Sequence, residues 1–379
     1  MRVLTFLHSF EPGGVERDAL RFNDAWRNAG IDVQIVLGRR DGRLAEEAPD
    51  LDYTVLQNGR LSTAAFETLW MIAKLPAAIR TLKPDVLFCA GNTYSVVAVA
   101  MRLLLGRACP PIILRVSNDL RRMDRSPVFR WLHRNWLKLQ APVFHTVVAM
   151  ADVIVPEIVA EMNIDPRRVV TVNNGSIRLP EAEAMARIRD ETPRSSNQRQ
   201  FVAIGRLVSQ KNFSALVKAF AIIAKPDDRL TIVGEGDQRR QLELLSKRLG
   251  RADQIMLPGH VNPVGQFLAS ADAYVMSSDY EGLPAVIVEA LAAGLPIVAT
   301  NCSVTMAMLV EDAGIVVPVK DMAALARAMD AIAGHPVNVD AMRARAATFT
   351  VETTTSAWTS LFARVVSSST DFSVPQTAR

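Results

Sequence analysis

Two pairs of residues in the second half of the chain could do chemistry together. Glu281 and Glu289 stand with seven residues between them in Glu-Gly-Leu-Pro-Ala-Val-Ile-Val-Glu, and Arg206 and Lys211 stand five positions apart in Gly-Arg-Leu-Val-Ser-Gln-Lys. Carboxylates accept hydrogen bonds from vicinal hydroxyls. A guanidinium neutralises a diphosphate bidentately, and an ammonium does so as a point charge. Pro284 suits the first position of a helix, so the N–H groups of Leu283, Ala285 and their neighbours, with the helix dipole, favour an anion such as a phosphate. A phosphate flanked by sugars uses both kinds of group, and that describes a nucleotide sugar. Taken alone, the two glutamates could equally be solvated helix-start residues.

The elements that must hold these groups follow from hydrophobic runs and breakers. Ala273 to Met276 reads as a buried strand, Gly282 as a turn, Ala285 to Ala293 as a helix stopped by Gly294, and Pro296 to Thr300 as the next strand. Phe201 to Gly205 is a strand ending at glycine, with a helix at Phe213 to Ala224. Leu230 to Asp237 is a strand and loop around Gly234, in which Glu235 is expected to cap the helix starting near Gln238. Ile255 to Val261 brings His260 and Val261 to a strand end.

The first half alternates in the same way. Arg2 to His8, Asp32 to Gly38, Pro84 to Cys89 and Ile112 to Val116 read as strands, Val169 to Gly175 as a short strand and turn, and Gly13 and Gly14 turn the chain into a helix through Trp26. Alternating strands and helices with ligand loops at the carboxyl edge predict doubly wound α/β sheets. Ile177 to Gln200 lacks an apolar period and reads as linker chemistry. Amphipathic helices are expected at Asp321 to Ala333 and Val351 to Val366, with a disordered tail from Ser367 to Arg379.

The Glu281–Glu289 spacing, the intervening Gly-Leu-Pro and the trailing Glu-Ala-Leu-Ala-Ala-Gly-Leu-Pro-Ile-Val-Ala resemble the signature of family 4 of the retaining glycosyltransferases. Gly205-Arg206-Leu207 followed by Gln210-Lys211-Asn212 resembles that family's diphosphate motif. Gly13-Gly14-Val-Glu-Arg is similar to its N-terminal loop, and Asn173-Asn174-Gly175 to the turn ending its first domain. The resemblance implies two Rossmann-like doubly wound domains facing across a cleft, the glycosyltransferase B (GT-B) architecture. Residues 1–178 would form an acceptor domain, 179–199 a linker, 200–349 a nucleotide-sugar domain, 350–366 a C-terminal helix crossing back to the first domain, and 367–379 the tail.

By the same resemblance, Glu289 holds the ribose hydroxyls and Glu281 the transferred sugar. The amides of Gly282 and Leu283 beside Pro284 lie over the sugar and diphosphate, and Gly13 and Gly14 face the diphosphate. Gly205, Arg206 and Lys211 serve the diphosphate, the Gly234 loop the nucleotide, and His260 and Val261 the wall beside the base. Arg206, Lys211 and Glu281 would then be catalytic, stabilising the departing diphosphate electrostatically, with no metal or other cofactor. Many relatives carry a first-domain histidine where this chain reads Leu114-Arg115-Val116-Ser117-Asn118-Asp119. Asn118 is therefore expected to bond the donor sugar, and Asp119 to orient the acceptor or act as base.

At 379 residues the chain exceeds one ordinary core, and 49% apolar with 22% charged residues excludes a disordered protein. Three scattered cysteines give neither a disulfide framework nor a metal spacing. Met1 to Phe10 reaches Glu11-Pro12-Gly13-Gly14 too early for a signal peptide, so a cytoplasmic protein is expected, peripheral on the inner face of the cytoplasmic membrane. The membrane expectation rests on 101–140, where Arg102, Arg107, Arg115, Arg121, Arg122, Arg125, Arg130, Arg134 and Lys138 interleave with Phe129, Trp131, Leu132, Trp136, Leu137 and Leu139. Such a pattern suits an anionic membrane surface, or else a solvated helix with an ordinary core face. No nucleic-acid motif accompanies it. The expected partners are thus a nucleotide sugar, UDP ahead of GDP, and a lipid-linked or glycan-precursor acceptor. The other readings are a sugar-nucleotide epimerase-like enzyme and a non-catalytic partner subunit.

Overall fold

In the computed structural model, residues 1–371 are described except 12, 47, 58–65, 118–119, 123–125, 194–197 and 262. The expectations for Asn118 and Asp119 therefore lie outside the described residues, as does the tail from residue 372. The chain forms two compact units, Met1–Gly175 with Val351–Arg379, and Ser176–Thr350.

The first unit is a seven-stranded parallel sheet. Its strands are β1 (Arg2–Leu7), β2 (Asp32–Leu37), β3 (Tyr53–Val55), β4 (Val86–Cys89), β5 (Ile112–Arg115), β6 (Thr146–Ala149) and β7 (Val169–Thr171), in the spatial order β3-β2-β1-β4-β5-β6-β7. The strands β4 to β6 are buried at every residue, as continuous apolar runs covered on both faces must be. Helices α1 (Gly14–Asn28), α2 (Glu67–Leu82), α3 (Ser95–Leu105), α4 (Pro127–Gln140) and α5 (Val155–Met162) connect them.

The second unit opens with α6 (Leu179–Glu191) and continues as β8 (Gln200–Ile204), α7 (Phe213–Ile223), β9 (Arg229–Val233), α8 (Arg239–Arg248), β10 (Ile255–Gly259) and α9 (Gly265–Ser270). It ends as β11 (Ala273–Met276), α10 (Ala285–Ala293), β12 (Ile297–Thr300), α11 (Met306–Val310), β13 (Gly314–Val317), α12 (Met322–Ala331) and α13 (Val339–Ala347). Its six parallel strands run β10-β9-β8-β11-β12-β13. Phe201, Phe213, Phe220, Ile232, Val275 and Met329 centre its core.

The final helix, α14 (Val351–Asp371), belongs to the first unit. Trp358, Leu361, Phe362 and Val365 are buried at i, i+3, i+4 and i+7, and the Trp358 ring sits 5.4 Å from Trp26 and 5.2 Å from Phe88.

Three expectations need correction. The segment read as linker is mostly helix α6, whose buried stripe is only Met185 and Arg189. Arg189 is buried because its guanidinium donates to the carbonyls of Leu268, Ala269 and Ala271, and a buried arginine hides the apolar period. Secondly, α14 runs through Ser367 to Asp371, which were expected to be disordered. Thirdly, Arg115 is buried at the end of β5 against Asp18, Asn174 and the face of Phe22, so it is no part of a surface patch.

Candidate functional site

In the second sheet the strand order reverses between β8 and β11, where the loops after these neighbours diverge and leave a crevice. Each loop brings one half of an ion pair to that point. After β8, Gly205 packs against the loop after β9. A Cβ on Gly234 would lie 1.9 Å from the Gly205 carbonyl oxygen, so glycine is required there. Leu207 N–H donates to the Glu235 carbonyl at 2.8 Å, and the buried Leu207 side chain anchors the loop while Arg206 stays exposed.

The chain then makes one 3-10 turn to Lys211 and enters α7 through Asn212, which adopts a left-handed conformation at φ 47°. Asn212 accepts a hydrogen bond from Ala215 N–H as helix cap, and its Nδ2 donates to Asp279 Oδ1 at 2.9 Å. The Ser277 hydroxyl donates to the Lys211 carbonyl at 2.8 Å, and Gln210 Nε2 to the Tyr280 carbonyl at 2.8 Å. The two loops are thereby stitched together.

Across this seam Lys211 Nζ donates to Glu281 Oε1 at 2.6 Å, with side chains only 17% and 11% exposed. The loop continues through Gly282, whose carbonyl accepts from the Ser303 and Thr305 hydroxyls, to a buried Leu283. Pro284 is the N-cap of α10 rather than its first residue, with φ −76° and ψ 111°. The Ile287 N–H donates to the Pro284 carbonyl at 3.1 Å, which leaves the Ala285 and Val286 N–H groups at the head of α10, in the loop that carries Glu281. The helix ends at Gly294, with φ +68° as a left-handed cap requires.

Glu289 is half-buried on α10. It and Glu281 both act on the phenol of Tyr274, beneath them on β11. Burial drives this phenol well above its ordinary value, and the two carboxylates add to the rise. Burial, with Glu281 reinforcing it, also pushes the Cys302 thiol up to about 12. Cation, carboxylates and helix N-terminus therefore share one corner of the sheet.

Gly205, Arg206, Lys211, Gly234, Glu281, Gly282, Leu283, Pro284 and Glu289 all fall at the carboxyl ends of the adjacent strands β9, β8 and β11 or on the helix that follows. His260, exposed, and Val261, half-buried, follow the next strand, β10. Glu235 does not cap α8. It is held by Arg239 Nη2 at 2.8 Å, with Glu243 on the same guanidinium. Gly13 and Gly14 open α1 in the first unit.

A second polar cluster at the β1–β4 reversal of the first sheet was missed from sequence. Tyr94 donates to Glu16 Oε1 at 2.6 Å, the His8 ring packs 4.8 Å from Tyr94, and Glu67 approaches His8 Nδ1 at 3.6 Å and Arg39 at 3.2 Å. Burial and the Arg39 charge hold the His8 imidazole below its ordinary value, although Glu67 and Glu16 oppose them. The signal was only a histidine ending the first strand.

Two doubly wound parallel sheets, one with a cation–carboxylate pair at its switch point beside a helix N-terminus, define a GT-B glycosyltransferase fold. The lipopolysaccharide outer core galactosyltransferase WaaB matches it with TM-score 0.73 at 16% identity, over 96% of this chain and 100% of that one. HepE of Anabaena, solved in complex with UDP, matches with TM-score 0.68 at 17% identity, over 98% of this chain and 99% of that one. The profile described as Glycosyltransferase Family 4 matches residues 12–176, and that described as Glycosyl transferases group 1 matches 185–348. The chain belongs to this glycosyltransferase family. An uncharacterized glycosyltransferase of Haemophilus influenzae is 35% identical over 145 residues, a match that spans 38% of each chain. The lipopolysaccharide core biosynthesis glycosyltransferase LpsD of Rhizobium meliloti is 25% identical over 78% of this chain and 77% of its own length.

Proposed function

We propose that this protein transfers a sugar, with retention at the anomeric carbon, from a nucleoside diphosphate sugar to a lipid-linked or glycan-precursor acceptor at the cytoplasmic membrane face. The observation that carries the reading is the Lys211–Glu281 pair at the β8–β11 switch point, in the loop that leads into the N-terminus of α10. Departure of the diphosphate builds negative charge, which the Lys211 ammonium, held in place by Glu281, and the N-terminus of α10 stabilise, with the exposed Arg206 guanidinium closing on it from the β8 loop. Glu281 then takes hydroxyls of the transferred sugar and Glu289 those of the ribose. UDP is the preferred nucleotide, in keeping with the UDP held by HepE. The LpsD name supports a surface-polysaccharide or glycolipid precursor as acceptor. The chemistry assigned to these residues calls for no metal.

Among the described residues no helix is long and apolar enough to cross a membrane. Contact with a lipid-linked acceptor is assigned to α4 because it carries no acidic residue and exposes Val128, Trp131, Leu132 and Leu139.

The test is transfer of label from UDP-sugars and GDP-sugars into the organic-extractable fraction of a native membrane extract, in the presence of EDTA. Label should enter from a UDP-sugar with wild type and fall sharply with Lys211→Ala. Absence of transfer from every donor, despite nucleotide binding, would place the chain with non-catalytic partner subunits.

A further inference from the structure

The loop from Ser277 to Pro284 has a neighbour on each side, because β11 stands between β8 and β12 in the sheet. Its Tyr280–Glu281 peptide reaches both of them. The Glu281 N–H donates to the Cys302 carbonyl after β12 at 2.9 Å, and the Tyr280 carbonyl accepts from Gln210 Nε2 after β8 at 2.8 Å. A trans peptide is planar, with N–H and C=O pointing opposite ways, so a single peptide spans the loop from side to side.

The Gly282–Leu283 peptide is held on the β12 side by its other end. The Gly282 carbonyl accepts from the Ser303 hydroxyl at 2.6 Å and from the Thr305 hydroxyl at 3.2 Å. Ser303 Oγ in turn accepts from Thr305 N–H at 3.3 Å, and the two hydroxyl oxygens stand 3.0 Å apart. Thr305 is fully buried and Ser303 half-buried. Two donors on the two lone pairs of one carbonyl fix its peptide against rotation. With that carbonyl turned to β12, the Leu283 N–H turns to β8, the side from which Lys211 reaches Glu281.

The two peptides differ in what meets them there. The Tyr280 carbonyl finds Gln210, whereas the Leu283 N–H meets no acceptor among the described residues. Leu283 is only 8% exposed, and a main-chain donor on so buried a residue ordinarily has a partner. A rigid N–H turned to the cation side of the loop is a donor for an anion.

We propose that Ser303 and Thr305 are positioning residues for the transfer: by pinning the Gly282 carbonyl they aim the Leu283 N–H at the terminal phosphate of the departing nucleoside diphosphate. The oxygen that gains charge as the sugar leaves is esterified in the donor and free in UDP, so the contact strengthens as the sugar departs. This role rests on the donor-site reading above, and the experiment separates the two.

Titration of UDP and UMP into the full chain reads the contact, since only UDP carries the second phosphate. Ser303→Ala/Thr305→Val should bind UDP about ten-fold more weakly than wild type and UMP equally well, the worth of one hydrogen bond to a charged group. Its transfer from a UDP-sugar should fall in kcat by about ten-fold or more, with KM held within about two-fold, as for a contact made mainly in the transition state. Thr305→Ser keeps both hydroxyls and should behave as wild type. Thermal melts check folding, and if the double variant does not fold, Ser303→Ala alone should show the same selective loss of UDP at about three-fold. A variant that binds UDP as wild type does, or that loses UDP and UMP alike, would overturn the positioning role and leave the donor site standing. Wild type that binds neither nucleotide would overturn the donor site and this role with it.

Discussion

Lys211 and Glu281 are each other's nearest countercharge, 2.6 Å apart in a corner where neither is more than a fifth exposed. The ammonium has three N–H donors and spends one on Glu281, so the others remain for a diphosphate. Removing it strands a nearly buried carboxylate and deletes a preorganised cation at the leaving group. Lys211→Ala should lower kcat/KM by about 10²–10³-fold, the scale of losing one such electrostatic contact. Steady-state transfer kinetics check this, and a loss of less than about threefold would remove Lys211 from the leaving-group role. Glu281→Gln keeps an acceptor for Lys211 but surrenders the charge. It should therefore weaken the UDP-sugar more than UDP itself.

At the scale of elements, the second unit is tied at the amino ends of its strands by Arg199 and Asp228. Arg199 forks Asp228, reaches the Ile223 carbonyl at the end of α7, and touches Asp330 on α12. Burial pushes the Asp228 carboxyl up, but hydrogen bonds from Arg199 and Lys225 N–H prevail and hold it below the ordinary carboxylate value. A carboxyl lowered in the folded state contributes stability above its unfolded value, about 3.9, and loses it as the pH falls through the folded value. Asp228→Asn should cost about 3 kcal/mol at pH 7, where a buried pair is broken. Urea unfolding at pH 7 and pH 3 reads the difference. A cost that does not shrink at the lower pH would contradict the pairing. What the sequence made legible at this scale was whatever lies in one local run. The boundaries of β11 and α10 were read to the residue because a buried parallel strand, a glycine turn and a glycine cap are contiguous. The Gly-Arg-Leu and Gln-Lys-Asn loop was visible for the same reason. Helix α6 was not, because its buried stripe is a methionine and an arginine. The Arg115–Asp18–Asn174 network was not, because its members come from three distant segments that only the sheet brings together. Nor was Glu235, whose partner Arg239 outcompetes a capping role.

At the scale of the molecule, each unit has its own sheet and core, and the first is completed by the last helix of the chain. Trp358 on α14 closes an aromatic cluster with Trp26, Phe88 and Phe362. Trp358→Ala should cost about 3–5 kcal/mol and lower the melting of the first unit by roughly 10 °C. Calorimetric scans should show that transition moving while the one stabilised by UDP stays in place. Both moving together would contradict separate cores. The central claim is that the β8–β11 corner is a working donor site, and titration calorimetry of UDP, GDP and ADP into the whole chain and its Glu289→Ala variant tests it most directly. The account predicts one saturable site in wild type, tightest for UDP. In the variant the affinity should drop about tenfold or more, since two hydroxyls lose a charged acceptor. Saturation by none of the three nucleotides, or a variant that binds UDP as well as wild type, would contradict it.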